Sequence, residues 1–245
     1  MHVEAAAGNP PAGGEAAILG PFLARLAAGV THELRSPLAV ILARVQLLDL
    51  ALQSGRPLPP ERIRETLGTV QEQALRASRV LETFAAFARP RTPRRTAVDL
   101  RRTIDAVLAD LQERMAPGGA LTAEVDVAPD AGTVSADGDQ LAVALAHLVG
   151  NAVEAMPAGG VVRVTVRRGP GVVRITVSDT GAGVPVEDAP RIFDPFFSTK
   201  RSAPGLGLAL VRGIAAAHGG SVHLAAAGGP GAEFVLSLPD PEPSP

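Results

Sequence analysis

Four short segments of the sequence hold residue types at spacings that can do chemistry. In HELRSPL, His32–Leu38, an imidazole adjoins the carboxylate of Glu33, and Pro37 follows within the same stretch. An exposed imidazole beside a carboxylate can accept a phosphoryl group, because the carboxylate takes the ring proton while the other ring nitrogen attacks. The same pair also suits an ordinary surface of an amphipathic helix. Pro37 sets this one apart, since it removes a backbone donor and bends a helix at a cost of about 3 kcal/mol. His32 falls between the apolar positions Val30 and Leu34, which turns its ring outward.

In HLVGNAVEAM, ending at Met156, Asn151 lies on an otherwise apolar helical stretch, where an amide is badly placed unless it meets a ligand or a buried partner. Mg²⁺ suits an amide oxygen and leaves its remaining positions to water and phosphate; a helix cap or a core amide is the other reading. In SDTGAGVP, Ser178–Pro185, Gly181 and Gly183 would let the backbone approach a ligand, and Asp179 can accept from an exocyclic amine such as that of adenine. Asp-Thr-Gly-Ala after a strand also suits an aspartic protease, where two such carboxylates share a proton across a dimer. In FDPFFSTKRSAPGLGLAL, Phe193–Leu210, Gly205 and Gly207 precede a helix whose free amides and positive dipole end suit phosphates. Lys200, the only lysine, is on the adjacent loop and could meet a phosphate tail. Taken alone, the glycines more often mark an ordinary tight turn.

Particular elements must hold these residues. Apolar residues recur in steps of three or four at Leu19, Leu23, Leu26, Val30, Leu34, Leu38, Ile41, Val45, Leu48 and Leu52, one face of a long helix. GRPLPP interrupts it, and Ile63, Leu67, Val70, Ala74, Ala77, Leu81, Phe84 and Ala88 trace a second helix, antiparallel to the first. One hairpin leaves both seams partly wet, whereas two make a closed four-helix bundle, so a homodimer is expected. ARPRTPRR reads as a linker. Beyond it, helices are predicted over 100–115, 139–156 and 206–218, and strands over 121–127, 161–167, 172–178, 221–226 and 233–238. That is an α+β sandwich with helices on one face of a mixed sheet. The domains read as a tail at 1–16, a helical domain at 17–89, a linker at 90–97, a second domain at 98–240 and a tail at 241–245.

At 245 residues, two domains can each bury a core. With 23 basic against 25 acidic residues, no global field recommends nucleic acid as a partner. Cysteine is absent, which excludes disulfides, thiolate metal sites and thiol catalysis. No uninterrupted apolar run reaches the roughly 18 to 20 residues of a membrane span, and no signal peptide pattern opens the chain. A cytoplasmic location without a span is expected.

In this order and spacing the segments resemble the two-component sensor histidine kinases over roughly residues 18–240: the H box at His32, the N box at Asn151, the G1 box at Asp179–Gly183, the F box around Phe193–Phe197 and the G2 box at Gly205–Gly207. The resemblance implies a dimerisation and phosphoacceptor hairpin followed by an ATPase domain of the type found in gyrase and mismatch-repair proteins. It implies His32 as phosphoacceptor, Glu33 as its base, Asn151 as Mg²⁺ ligand with His147 one turn earlier, and Asp179 as reader of adenine. Gly181, Gly183, Gly205, Leu206 and Gly207 would line the ATP pocket with Lys200, and residues 198–204 would form a short lid. It also implies a response regulator receiver domain as the partner that takes the phosphoryl group. Two positions depart from the pattern. Glu154 stands where many members have a basic residue, and Ser36 where many have the Thr or Asn that orients water for dephosphorylation. Only about 17 residues precede the hairpin, so a separate sensor protein, or a sensor outside this chain, is expected to deliver the signal.

Overall fold

The computed structural model describes residues 13–54, 58–88, 91–114, 121–200, 205–225 and 227–240, with side chains from residue 28 onward except at 86–88 and 112–114. The expected tails lie outside these residues save for 13–16, and so do residues 201–204 of the expected lid. The chain divides into two compact units, residues 1–81 and 82–245.

The first unit is a helical hairpin of α1 (Gly13–Gln53) and α2 (Pro60–Ala88), the latter ending in the second unit. Helix α1 begins inside the segment expected to be a tail, where Glu15, Ala16 and Ala17 favour helix. Pro60 opens α2 at the one helical position that tolerates proline. The seam read from the sequence splits in two. On α1, Leu34, Ile41 and Leu48 are half-buried beside the buried Val30. The alternate members Leu38, Val45 and Leu52 stay 54, 49 and 63% exposed. Helix α2 repeats this, with Ile63, Val70 and Ala77 half-buried, Val80 buried, and Leu67 and Leu81 exposed. With Leu42, Leu47 and Leu50 also apolar and exposed, α1 carries a stripe wider than one partner helix can cover.

The expectation that nothing is long and apolar enough for a span needs correction. The stretch Ala28–Gln53 of α1, 26 residues with mean hydropathy 1.3, passes by length and composition, and 6% of its apolar window is buried. Scattered charges break the apolar run without lowering its average enough to exclude it.

In the second unit a five-stranded sheet runs β2 (Leu121–Val127), β4 (Gly160–Gly169), β5 (Val172–Asp179), β7 (Glu233–Pro239) and β6 (Ser221–Leu224). Only the β2–β4 pair is parallel. Alternation sorts the faces: Val162, Val164, Val166, Val173, Ile175 and Val177 are buried, while Arg163, Arg167 and Arg174 point to solvent. Helices α3 (Leu100–Arg114), α4 (Gly138–Glu154) and α5 (Gly207–Ala217) share the apolar core with that inner face. Each fully buried Leu, Ile or Val contributes about 1.5–3 kcal/mol relative to exposure.

A two-stranded sheet of β1 (Thr96–Asp99) and β3 (Thr133–Ala136), absent from the sequence reading, brings the chain into this unit. Part of the expected linker is hydrogen-bonded to the second unit. Arg94 N donates to Asp137 Oδ2 at 2.9 Å, Arg95 Nη2 to His218 O at 2.8 Å, and Gln140 Nε2 to Arg91 O at 3.0 Å. Asp137 caps α4 through Gln140 N at 3.1 Å, and its own amide donates to Nε2 of the buried His218 at 3.0 Å. That assigns the ring proton to Nδ1, which donates to Ile214 O at 2.8 Å.

Candidate functional site

Helix α4 presents two faces. Leu141, Ala144, Leu145, Leu148, Val149 and Ala152 are buried, leaving His147, Asn151 and Glu154 as one stripe along the flank of that buried face. The half-buried amide of Asn151 has no hydrogen-bond partner among the described residues. His147 lies against the start of α5, where a Cβ at Gly207 would come within 3.0 Å of its Nδ1. Desolvation holds the His147 imidazole below its ordinary pKa, while the nearby Glu154 charge pulls the other way.

Asp179 ends β5. Its Oδ1 accepts from Gly181 N at 2.8 Å and Ala232 N at 3.2 Å, and Oδ2 has no partner among the described residues. One oxygen is therefore fixed by backbone, and the other is left to accept from a ligand. The loop after Asp179 is braced by the segment before β7: Asp179 N donates to Ala232 O at 3.0 Å, Gly231 N to Gly181 O at 2.7 Å, and Gly228 N to Val184 O at 2.8 Å. Ala232 and Gly231 were not singled out in the sequence, because that glycine-rich stretch reads as a turn. Their partners lie some fifty residues away and meet them through the β5–β7 register.

Three of the glycines expected around the ligand are packed closely against the chain itself on the side where a Cβ would stand. A Cβ at Gly181 would meet Ala155 O at 2.6 Å, and one at Gly183, with φ +74°, would meet Gly229 O at 2.1 Å. At Gly205, with φ +67°, it would meet Phe197 O at 2.5 Å. These loops turn against backbone too closely for any larger residue. Leu206, expected in the pocket, has its side chain fully buried, so only its backbone can face a ligand. The first amides of α5 have no helical acceptor and no side-chain cap, which suits an anion.

The Phe193–Phe197 segment packs by its rings: Phe193 meets Phe234 edge-on at 6.3 Å, and Arg191 lies over Phe197 at 4.8 Å. Lys200 Nζ donates to Glu154 Oε2 at 2.9 Å. Asn151, Asp179, the α5 start and Lys200 all belong to the second unit and to the elements around the end of α4.

In the first unit, His32 is 83% exposed, with Nδ1 3.7 Å from Oε1 of the half-buried Glu33. This is ion-pair range rather than a hydrogen bond. Ser36 is exposed one turn further on, and Pro37 is buried.

The geometry fits what known proteins show. Residues 22–93 match the His Kinase A (phospho-acceptor) domain, and residues 136–242 match the histidine kinase-, DNA gyrase B- and HSP90-like ATPase. Sensor protein DivL of Caulobacter vibrioides is 37% identical over 86% of this chain and 27% of its own length. Sensor histidine kinase ZraS of Klebsiella oxytoca is 36% identical over 89% of the chain and 46% of its own. The chain thus spans less than half the length of these relatives. The crystal structure of histidine kinase ThkA in complex with response regulator protein TrrA shares the fold, with TM-score 0.72 and 24% identity over 92% of this chain and 63% of that one. The match of the Asp179 segment to an ATPase domain removes the protease alternative.

Proposed function

The chain belongs to the sensor histidine kinases, a phospho-acceptor hairpin followed by an ATPase domain, and from that membership we propose that it phosphorylates His32 with ATP and passes the phosphoryl group to an aspartate of a response regulator. The observation that carries the reading is His32, an imidazole 83% exposed with a carboxylate 3.7 Å from Nδ1. Nε2 attacks the γ-phosphorus, a P–N bond forms, the bond to the β–γ bridging oxygen breaks, and ADP leaves. Glu33 takes the Nδ1 proton. Positioning and charge stabilisation supply most of the catalysis in such transfers.

In this reading Asp179 Oδ2 accepts from the adenine amine, and the α5 amides and Lys200 hold the phosphate tail. The unpartnered Asn151 amide suits a Mg²⁺ ligand, with His147 beside it on the same face. Mg²⁺, when bound, supplies positive charge against the triphosphate. Ser36, exposed beside the acceptor, is the candidate for orienting water in dephosphorylation. The second apolar stripe of the hairpin supports a homodimer, and its place inside the matched 22–93 region supports α1 as a bundle helix in the cytoplasm rather than a span. The signal arrives from a sensor on another protein or another part of a longer chain.

Incubating the chain with γ-labelled Mg²⁺-ATP tests this. Acid-labile, alkali-stable label is expected on the wild type and none on His32→Gln. Absence of label with ATP binding retained would mean that the chain binds nucleotide as a scaffold.

A further inference from the structure

The proposed nucleotide site gives work to Asn151 and Lys200 but none to Glu154. Yet Glu154 stands one turn after Asn151 on the same face of α4, and its Oε2 accepts from Lys200 Nζ at 2.9 Å. Lys200 is held in place independently of that bond. Ser198 Oγ accepts from Lys200 N at 3.1 Å and donates to Lys200 O at 3.0 Å. The preceding turn is tied by Phe196 N to Gly205 O at 2.9 Å, and Phe196 adopts φ +66°, a left-handed conformation that costs a bulky residue of order 1–2 kcal/mol. A strained, bonded turn therefore presents the only lysine of the sequence, with its charge already answered by a carboxylate on α4.

Building on the nucleotide-site reading, we propose that Glu154 is a specificity-determining residue: the resident counter-ion of Lys200, which an incoming phosphate tail must displace, so that it sets how strongly the site selects for the number of phosphates. Displacement exchanges one ion pair for another, and Lys200 contributes only the difference between them. The released carboxylate then faces the tail and repels it in proportion to its charge. A nucleoside without phosphates disturbs neither. With 36% of Lys200 and 56% of Glu154 side chains exposed, solvent screens the pair, and the effect is a matter of a few-fold.

The experiment is calorimetric binding of ATP, ADP and adenosine in Mg²⁺ to wild type, Glu154→Gln, Lys200→Ala and the double variant. Glu154→Gln should tighten ATP by about two- to fivefold, ADP by less, and adenosine not at all. Lys200→Ala should cost more ATP affinity in the Glu154→Gln background than in the wild type, which is the coupling a displaced ion pair requires. Weaker ATP binding by Glu154→Gln, or equal losses from Lys200→Ala in both backgrounds, would overturn the proposal and leave the nucleotide site standing. No binding of any of the three ligands by the unaltered chain would overturn the site reading and the proposal together.

Discussion

Asp179 accepts two backbone hydrogen bonds on one oxygen, and two replacements separate its structural work from its proposed work. Asp179→Asn keeps an acceptor for Gly181 and Ala232 but turns a donor toward the ligand. Melting should stay close to wild type while ATP affinity falls about tenfold or more. Asp179→Ala strips both amides of their partner and should also cost about 1–3 kcal/mol in denaturant unfolding. Retained ATP affinity in the Asn variant would remove Asp179 from adenine recognition. The aspartate itself was legible in the sequence from its place after an apolar strand, as were the outward ring of His32 and the misplaced amide of Asn151. The bracing by Ala232 was not, because a hydrogen bond spanning 53 positions follows from strand register rather than from any local pattern. The glycines were legible as sites of close approach, but the backbone that lies where a Cβ would stand at Gly181, Gly183 and Gly205 was not.

Long periodic elements read well: both hairpin helices, α3 to α5 and the central strands fall where periodicity put them, within a few residues at each end. The four-residue strands β1 and β3 escaped, although β6, of the same length, did not. With β1 went the hydrogen bonds of the expected linker, because its proline- and arginine-rich sequence does not show their partners. Asp137 joins these pieces. The backbone bond from Arg94 is the chief reason its carboxyl sits below the usual range, helped by Gln140 and the Arg91 charge and opposed by burial. The charged form is thus favoured in the folded unit. Its contribution to stability is complete above the unfolded value near 3.8 and is lost as pH falls through the lower folded value. Asp137→Ala should cost about 1–2 kcal/mol at pH 7, lowering the melting temperature of the second unit by a few degrees, and should flatten the acid limb of its stability curve. An unchanged acid limb would show that Asp137 is not the group responsible.

At the scale of the whole molecule, the divided seam of the hairpin is the feature with most to test. Leu38 and Leu67, 54% and 55% exposed, should lie in the contact with a second copy, and a charge there would be buried without a partner. Leu38→Glu with Leu67→Glu should raise the dimer dissociation constant by about a hundredfold or more, read by sedimentation equilibrium, with helical content retained. A wild-type monomer at micromolar concentration would instead leave the stripe without a second copy to cover it. The sequence showed that apolar surface was in excess; it could not show which half of each stripe the hairpin uses for itself. The attachment of Arg91, Arg94 and Arg95 to the ends of α4 and α5 bears on how the chain comes apart. The amides of Arg94, Asp137 and Gln140 all bond through Asp137, and they are expected to exchange together rather than one by one. Pulled from its N-terminal side, the second unit is therefore expected to load the N-terminal cap of α4 through Arg94 and Asp137.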